Sequence, residues 1–385
     1  MKHLKLLAIL LCVALPAQAK VKSTDITFPN NFYTDSIGSC KAVHSVAFDS
    51  SYTTKFVEKL IGYDWHKDHS TRSTSMNVWH QNITDPMNLL KAATHNAVGK
   101  NVKAEIDIAK QLLVDLAKAD TLYDSIGYNE VRKKPGCYAG KNDINAPCWY
   151  HEYQFARDVF ADYMITALWL KDELNKQEFK VVDQYIKKMY RKFLRPTESN
   201  IEEKGFYQMA NGGTGILAYA NWIGSKTLAA KEINHRFKEI DSLFYEDGYI
   251  NDNSFRGYRG QWYHSYGVDS ALGYVYLADL WGAEVPKKLQ NKLVKAAKVV
   301  NLAITDWDAF KSRTHNKLPA NAILDSHNAQ KYTHRYALGL DELMLEITGV
   351  ELEYDAHYVS KTGKYGHAYG IDTLIGFPPG CIQND

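Results

Sequence analysis

Phe155–Lys171 reads FARDVFADYMITALWLK, a stretch with apolar residues on every side and neither proline nor glycine inside it. It is too long for an ordinary strand, and a helix of this kind packs on two sides rather than one. Val268–Leu280, VDSALGYVYLADL, is likewise apolar all round. Around these two, other segments carry a single apolar stripe. In Asn101–Leu122 the residues Ile106, Ala109, Leu113 and Leu116 share one helical face. Val182, Ile186, Met189 and Phe193 repeat that pattern, as do Leu289, Leu293, Ala296 and Val300. Breakers separate the segments at Arg195-Pro196, Asn211-Gly212-Gly213, Glu246-Asp247-Gly248 and Val285-Pro286. No alternating Val, Ile and Thr run with hairpin turns is long enough to build a sheet. The expectation is an all-α fold of antiparallel helical hairpins. No tetratricopeptide or ankyrin period is visible, so the hairpins are expected to close into a helical toroid rather than stack as an open solenoid.

The chain has 385 residues, 45% of them apolar, which suffices for a full-sized core and excludes a disordered or small disulfide-scaffold protein. Its start reads as a secretory leader: Lys2 and Lys5, an apolar run from Leu6 to Leu15, then Ala17-Gln18-Ala19. The expected organisation is a signal peptide over residues 1–19 and a single domain over 20–385, monomeric, in the periplasm or secreted. The apolar run is shorter than the roughly 20 residues of a membrane span, so no membrane partner is expected. Lys and Arg number 46 against 44 Asp and Glu. Without Lys2 and Lys5 the charges balance, and no global basic field argues for nucleic acid. The bias that stands out is aromatic, with 26 Tyr and 8 Trp, and such rings stack on the apolar faces of sugars.

Beyond Cys12 in the leader, Cys40, Cys137, Cys148 and Cys381 form an even set suited to an oxidising compartment. Cys137 and Cys148 flank a turn-rich stretch and are expected to bridge locally, leaving Cys40 with Cys381. A zinc site is the other reading, weakened by the lack of paired C-x-x-C spacing. The usual zinc-hydrolase, serine-hydrolase, phosphate-loop and dinucleotide motifs are absent. His151-Glu152 begins like a zincin, but Phe155 stands where the second histidine belongs. No metal or other cofactor is expected.

The densest polar-aromatic cluster contains Arg256, Tyr258, Arg259, Trp262, Tyr263, His264 and Tyr266, and runs directly into the apolar segment from Val268. Aromatic residues there could simply cap the core. Guanidinium groups, however, bind carboxylates in a bidentate fork, and rings stack on sugars, so the combination suits an acidic glycan. A second cluster, Trp149-Tyr150-His151-Glu152-Tyr153, opens the Phe155 helix, with packing around a disulfide as its plainer reading. Asn211-Gly212-Gly213 is a third, where a turn alone explains the sequence.

Glu246-Asp247-Gly248 through Arg256 and Tyr263 to Ala278-Asp279 resembles the helical alginate lyases of polysaccharide-lyase family 5 and their alginate-lyase-domain relatives. An Arg seven residues before the catalytic Tyr is the family spacing, and Arg256 and Tyr263 reproduce it. Leu116-Ala117-Lys118-Ala119-Asp120 with Trp149-Tyr150, and Tyr332-Thr333-His334-Arg335, support the resemblance, which is patchy but collinear over roughly Leu112 to Leu340. It implies an (α/α) toroid with a groove and a metal-free β-elimination on uronate polymers. Arg256 and Asn211 would neutralise the C5 carboxylate, and Tyr263 would protonate the departing O4. Trp149, Tyr150, Tyr258, Arg259, Trp262, His264, Arg335 and His80 would bind the anionic polysaccharide. One departure matters. The family's Asn is followed by His, whereas Asn211 is followed by Gly212. Either His151, or behind it His264 or His80, supplies the base, or tyrosine performs both proton transfers.

The chemistry stands without the family. Removing the C5 proton beside an ionised carboxylate builds a second negative charge, which cationic and hydrogen-bonding contacts stabilise. A base then takes the proton and an acid meets the glycosidic oxygen. A free tyrosine titrates near pH ~10, so a basic tyrosine needs nearby positive charge, which Arg256 and Arg259 could supply. In mannuronate and glucuronate the C5 hydrogen and O4 share a face, so one tyrosine can serve twice. In guluronate they do not. Without the family histidine, the expected substrate is mannuronate-rich alginate or glucuronan. Two other classes stay open. A toroidal glycoside hydrolase would draw its carboxylates from Asp247, Asp252, Glu152 and Asp269, and a non-catalytic acidic-glycan binder would keep Arg256 and the aromatics.

Overall fold

The computed structural model describes residues 20–29, 50–64, 71–134, 149–197, 208–256, 260–314 and 340–353. Its helices are α1 (Ser50–Ile61), α2 (Arg72–Trp79), α3 (Asp85–Gly99), α4 (Lys103–Lys118), α5 (Tyr128–Val131), α6 (Trp149–Trp169), α7 (Lys176–Met189), α8 (Gln208–Trp222), α9 (Lys226–Leu243), α10 (Gly260–Leu280), α11 (Lys287–Thr305), α12 (Trp307–Thr314) and α13 (Leu340–Thr348). Among the described residues, extended pairing is limited to one bridge between Phe244 and Ile250. The fold is all-α.

Short turns fold α3 onto α4, α8 onto α9 and α10 onto α11 as antiparallel hairpins. Within each hairpin the first helix is buried on both sides and the second on one stripe. Burial in α6 runs almost unbroken from Phe155 to Trp169, whereas in α7 it is confined to Val182, Tyr185, Ile186 and Met189. The stripes read from sequence in α4, α7 and α11 are the faces these helices bury. Thus α3, α6, α8 and α10 form an inner layer and α4, α7, α9 and α11 an outer one, the arrangement of an (α/α) toroid.

The inner helices run in the same direction. Along α3 and α6, His80 at the entrance meets Phe155, Lys91 meets Asp162, and His95 meets Trp169. Between α6 and α8, Gly215 faces Ala161, and Lys171 donates to the carbonyl of Trp222 at the far end. For α10 the chain itself fixes the direction. The N–H of Asn251 donates to Leu243 O at the end of α9, and the Asn253 amide donates to Tyr263 O in the first turn of α10. The N-termini of all four inner helices therefore open at one end of the toroid.

Two expectations need correcting. Asn211-Gly212-Gly213 is not a turn; it lies in the first turns of α8. Two consecutive glycines cost a helix about 1 kcal/mol each relative to alanine, but α8 is held by its neighbours. A Cβ on Gly215 would come within 3.1 Å of both Ala161 Cβ and Leu194 Cδ1. That close approach needs small residues on α8. Secondly, the helices read from Phe155 and Val268 start earlier, α6 at Trp149 and α10 at Gly260, so the cluster residues Trp262–Tyr266 are part of α10 and not a segment leading into it. The apolar pattern understated both starts because aromatic and polar residues there do not repeat a simple apolar stripe.

Both π-helical turns, His80–Thr84 and Tyr190–Leu194, end two residues before a proline, at Pro86 and Pro196. Proline removes a backbone donor and crowds the carbonyl four residues earlier, and a widened turn accommodates this. The first and last of the described segments are tied in. Val21 exchanges two hydrogen bonds with the Asn234 side chain, and Asn301 holds the backbone of Glu351 and Glu353. Among the described residues no helix is long and apolar enough to cross a membrane.

Candidate functional site

The parallel inner helices bring the sequence-predicted residues to one end. His80 lies just before α3, Trp149, Tyr150 and His151 in the first turn of α6, Asn211 in the first turn of α8, and Trp262 and Tyr263 in the first turn of α10. Helix N-termini carry the positive end of the backbone dipole, so this end of the toroid favours an anionic ligand.

Arg256 and Tyr263 lie side by side. The guanidinium carbon is 4.9 Å from the centre of the phenol ring, inside the range of a cation–π contact. Arg256 is exposed and Tyr263 half-buried. Arg256 also directs Nε to Asp252 Oδ2 at 3.0 Å, and a terminal nitrogen forms an ion pair with the same oxygen. Asp252 takes φ +59° and ψ −48°, a conformation that costs a non-glycine residue on the order of 1–3 kcal/mol. The neighbouring anchors at Asn251 and Asn253 hold it there. The Asp252–Arg256 pairing is an i, i+4 relation that the sequence displays.

The loop that carries Arg256 is fastened from below. His264 was expected to bind substrate or act as a spare base; the structure overturns this. Its ring is fully buried, with Nδ1 2.8 Å from Ser254 Oγ and Nε2 3.1 Å from Ala296 O. Ser254 Oγ accepts from Ile250 N–H, so its hydroxyl hydrogen goes to Nδ1 and the histidine N–H at Nε2 goes to Ala296 O. Burial lowers the histidine to about 4, opposed by the bond to Ala296, which keeps it neutral. His264 is a rivet between the Arg256 loop, α10 and α11. Gly248 completes the fastening. Its φ is +90°, and a Cβ there would lie 2.5 Å from Lys295 backbone atoms.

At the entrance of α6, the Lys134 ammonium sits 4.9 Å from the Trp149 ring centre, and Tyr150 lies 6.0 Å from the His151 ring. Trp149, Tyr150 and His151 are half-buried, and His80 is exposed, edge-on to Phe155 at 4.6 Å. Two groups missed by the sequence reading lie deeper in α6. Arg157 is fully buried with Nε and a terminal nitrogen on Asp158, and Asp162 forms a 2.6 Å ion pair with the buried Lys91. Burial raises Asp162, and the Lys91 charge works against that shift. A buried cation inside an apolar stretch leaves no periodic signature in the sequence.

The carboxylates considered for a hydrolase are each paired or buried. Glu152 is buried and accepts from Ile126 N–H at 2.7 Å; Asp247 pairs with Arg313; Asp252 pairs with Arg256; Asp269 is buried. Tyr258, Arg259, Arg335 and the cysteines Cys40, Cys137, Cys148 and Cys381 fall outside the described residues, as does the leader.

No family model matches the chain, and no curated protein matches it by sequence. Among solved structures it is similar to alginate lyase A1-III from Sphingomonas species A1, with a TM-score of 0.53 and 11% identity over 93% of this chain and 99% of that one. At that identity the likeness is one of fold, and it extends over nearly the full length of both chains.

Proposed function

We propose that the protein is a polysaccharide lyase that cleaves a uronate polymer, mannuronate-rich alginate or glucuronan, by β-elimination to give 4,5-unsaturated ends. The observation that carries this reading is the contact between Arg256 and Tyr263, a guanidinium beside a phenol at the end of the toroid where the inner helix N-termini converge. The likeness in fold to an alginate lyase supports it.

In this reading the substrate carboxylate displaces Asp252 from part of the Arg256 fork and receives the guanidinium donors. Asn211, from the first turn of α8, would share that carboxylate. With its charge neutralised, the C5 carbanion that develops during proton removal is stabilised as an enolate-like dianion. In its phenolate form the Tyr263 oxygen takes the C5 proton and then gives it to O4 as the C4–O4 bond breaks, which regenerates the phenolate. The electron pair of the C5–H bond becomes the C4–C5 double bond, and the leaving sugar departs as an alcohol. A single group can do both jobs only where H5 and O4 share a face, which selects mannuronate or glucuronate. A leader over residues 1–19 would deliver the enzyme to the periplasm or outside the cell, where such polymers occur.

The test is absorbance in the near ultraviolet, measured side by side on polymannuronate, polyguluronate and glucuronan with purified protein. Unsaturated product from polymannuronate or glucuronan, with less from polyguluronate, is the expected result. Reducing ends without the absorbing product would indicate a hydrolase, and binding without any cleavage a glycan-binding protein.

A further inference from the structure

Arg313, in the last turn of α12, is seated unlike an ordinary surface cation. Its guanidinium carbon lies 5.4, 5.5 and 5.9 Å from the ring centres of Phe255, Tyr249 and Tyr245. Its Nε donates to Asp247 Oδ2 at 2.7 Å. The seat is itself fixed. Tyr249 stacks on Phe310 and directs its hydroxyl to Phe310 O, while the Tyr245 hydroxyl donates to Asn251 Oδ1 at 2.8 Å. A guanidinium has five N–H donors. Here one is taken by Asp247, and the two terminal nitrogens form no hydrogen bond among the described residues, while 41% of the side chain faces solvent.

An exposed Arg–Asp pair contributes little to stability, and that alone gives no reason for a three-ring seat. Such a seat fixes the plane of the guanidinium and leaves its outer edge ready for a planar, two-oxygen acceptor. The position is telling as well. Phe255, one wall of the seat, is the chain neighbour of Arg256, and Asp247 and Asp252, which hold the two arginines, belong to one loop.

We propose that Arg313 forms a second anion subsite, which binds the carboxylate of a sugar unit neighbouring the one held at Arg256. The inference rests on the lyase reading for the identity of the ligand, but it concerns binding and not turnover. Arg313 adds grip on a polymer that presents carboxylates in series, and it adds nothing for a neutral chain of the same sugars.

The experiment measures calorimetric binding of polymannuronate at low salt in the Tyr263→Phe background, which leaves the polymer intact, with neutral mannan as the control. Arg313→Gln is expected to weaken polymannuronate binding about tenfold, the scale of one lost charge-assisted contact, without affecting mannan. Arg313→Lys keeps the charge and most of the ring packing but loses the fork, and is expected to fall between the two. It also remains informative should the Gln variant fold poorly. Unchanged polymannuronate affinity in a folded Arg313→Gln or Arg313→Lys variant would overturn the subsite, as would a parent that does not bind polymannuronate. Failure of the lyase reading looks different: no unsaturated product from the native protein, with the Arg313 effect on binding intact.

Discussion

The Arg256 guanidinium carbon rests 4.9 Å from the centre of the Tyr263 ring, although the two residues belong to different elements, one directly after the short 3-10 turn Asn253–Phe255 and the other in the first turn of α10. The loop is held in register by Asn253, whose amide donates to Tyr263 O, and by Ser254, which meets the buried His264. The pair is therefore set by polar anchors beneath it as much as by its own contact.

Tyr263→Phe removes the single hydroxyl assigned to proton transfer while keeping the ring beside Arg256. Unsaturated-product formation is expected to drop by at least about a hundredfold, with the circular dichroism spectrum unchanged. Activity within a few-fold of the native enzyme would take Tyr263 out of the mechanism.

His151→Ala separates the two routes to the base. With tyrosine serving twice, cleavage of polymannuronate is expected to stay within about tenfold of the native rate. A loss as deep as that of Tyr263→Phe would return the base to His151.

His264 makes folding pH-dependent. Its folded value, lowered to about 4 by burial, lies below the ordinary value of 6.5, so between those two the unfolded chain binds more protons. Its contribution is fully present above pH 6.5 and is lost as pH falls towards 4. On the order of 3 kcal/mol is at stake. Urea unfolding at pH 7 and pH 4.5 should show a loss on acidification that is much smaller in His264→Gln. Equal losses in both proteins would contradict this assignment.

Lys91 and Asp162 join α3 to α6 through a buried ion pair. Removing one partner strands a charge in the core, so Lys91→Met or Asp162→Leu alone should cost about 3–5 kcal/mol. The double variant should recover most of that, since burying two apolar groups is close to neutral. Additive losses in denaturant titrations would show that the pair does not act as a unit.

The apolar stripes of α4, α7 and α11 and the all-round apolar runs of α6 and α10 were legible because burial on one or two sides writes a 3.6-residue period directly into the chain. The Arg256–Tyr263 spacing was legible too, as the seven-residue separation that carries the resemblance to helical alginate lyases. His264 was not. A histidine amid arginines and tyrosines looks like a binding group, and only the burial of its ring between Ser254 and Ala296 shows that it fastens the loop. Asn211-Gly212-Gly213 misled for a related reason: local preference favours a turn, but packing of α8 against Ala161 and Leu194 outweighs it.

The sequence by itself determined the helical class and the inner and outer character of the helices, because each depends on residue type and short spacing, and through a family resemblance it singled out Arg256 and Tyr263 as a pair to look for. Only the tertiary structure decided which end of the toroid gathers the candidate residues and which charged groups are withdrawn into the core. It alone seated Arg313 on three rings from a loop some sixty residues earlier in the chain. Those outcomes rest on contacts between elements distant in sequence, where packing and desolvation, not local preference, set the free energy.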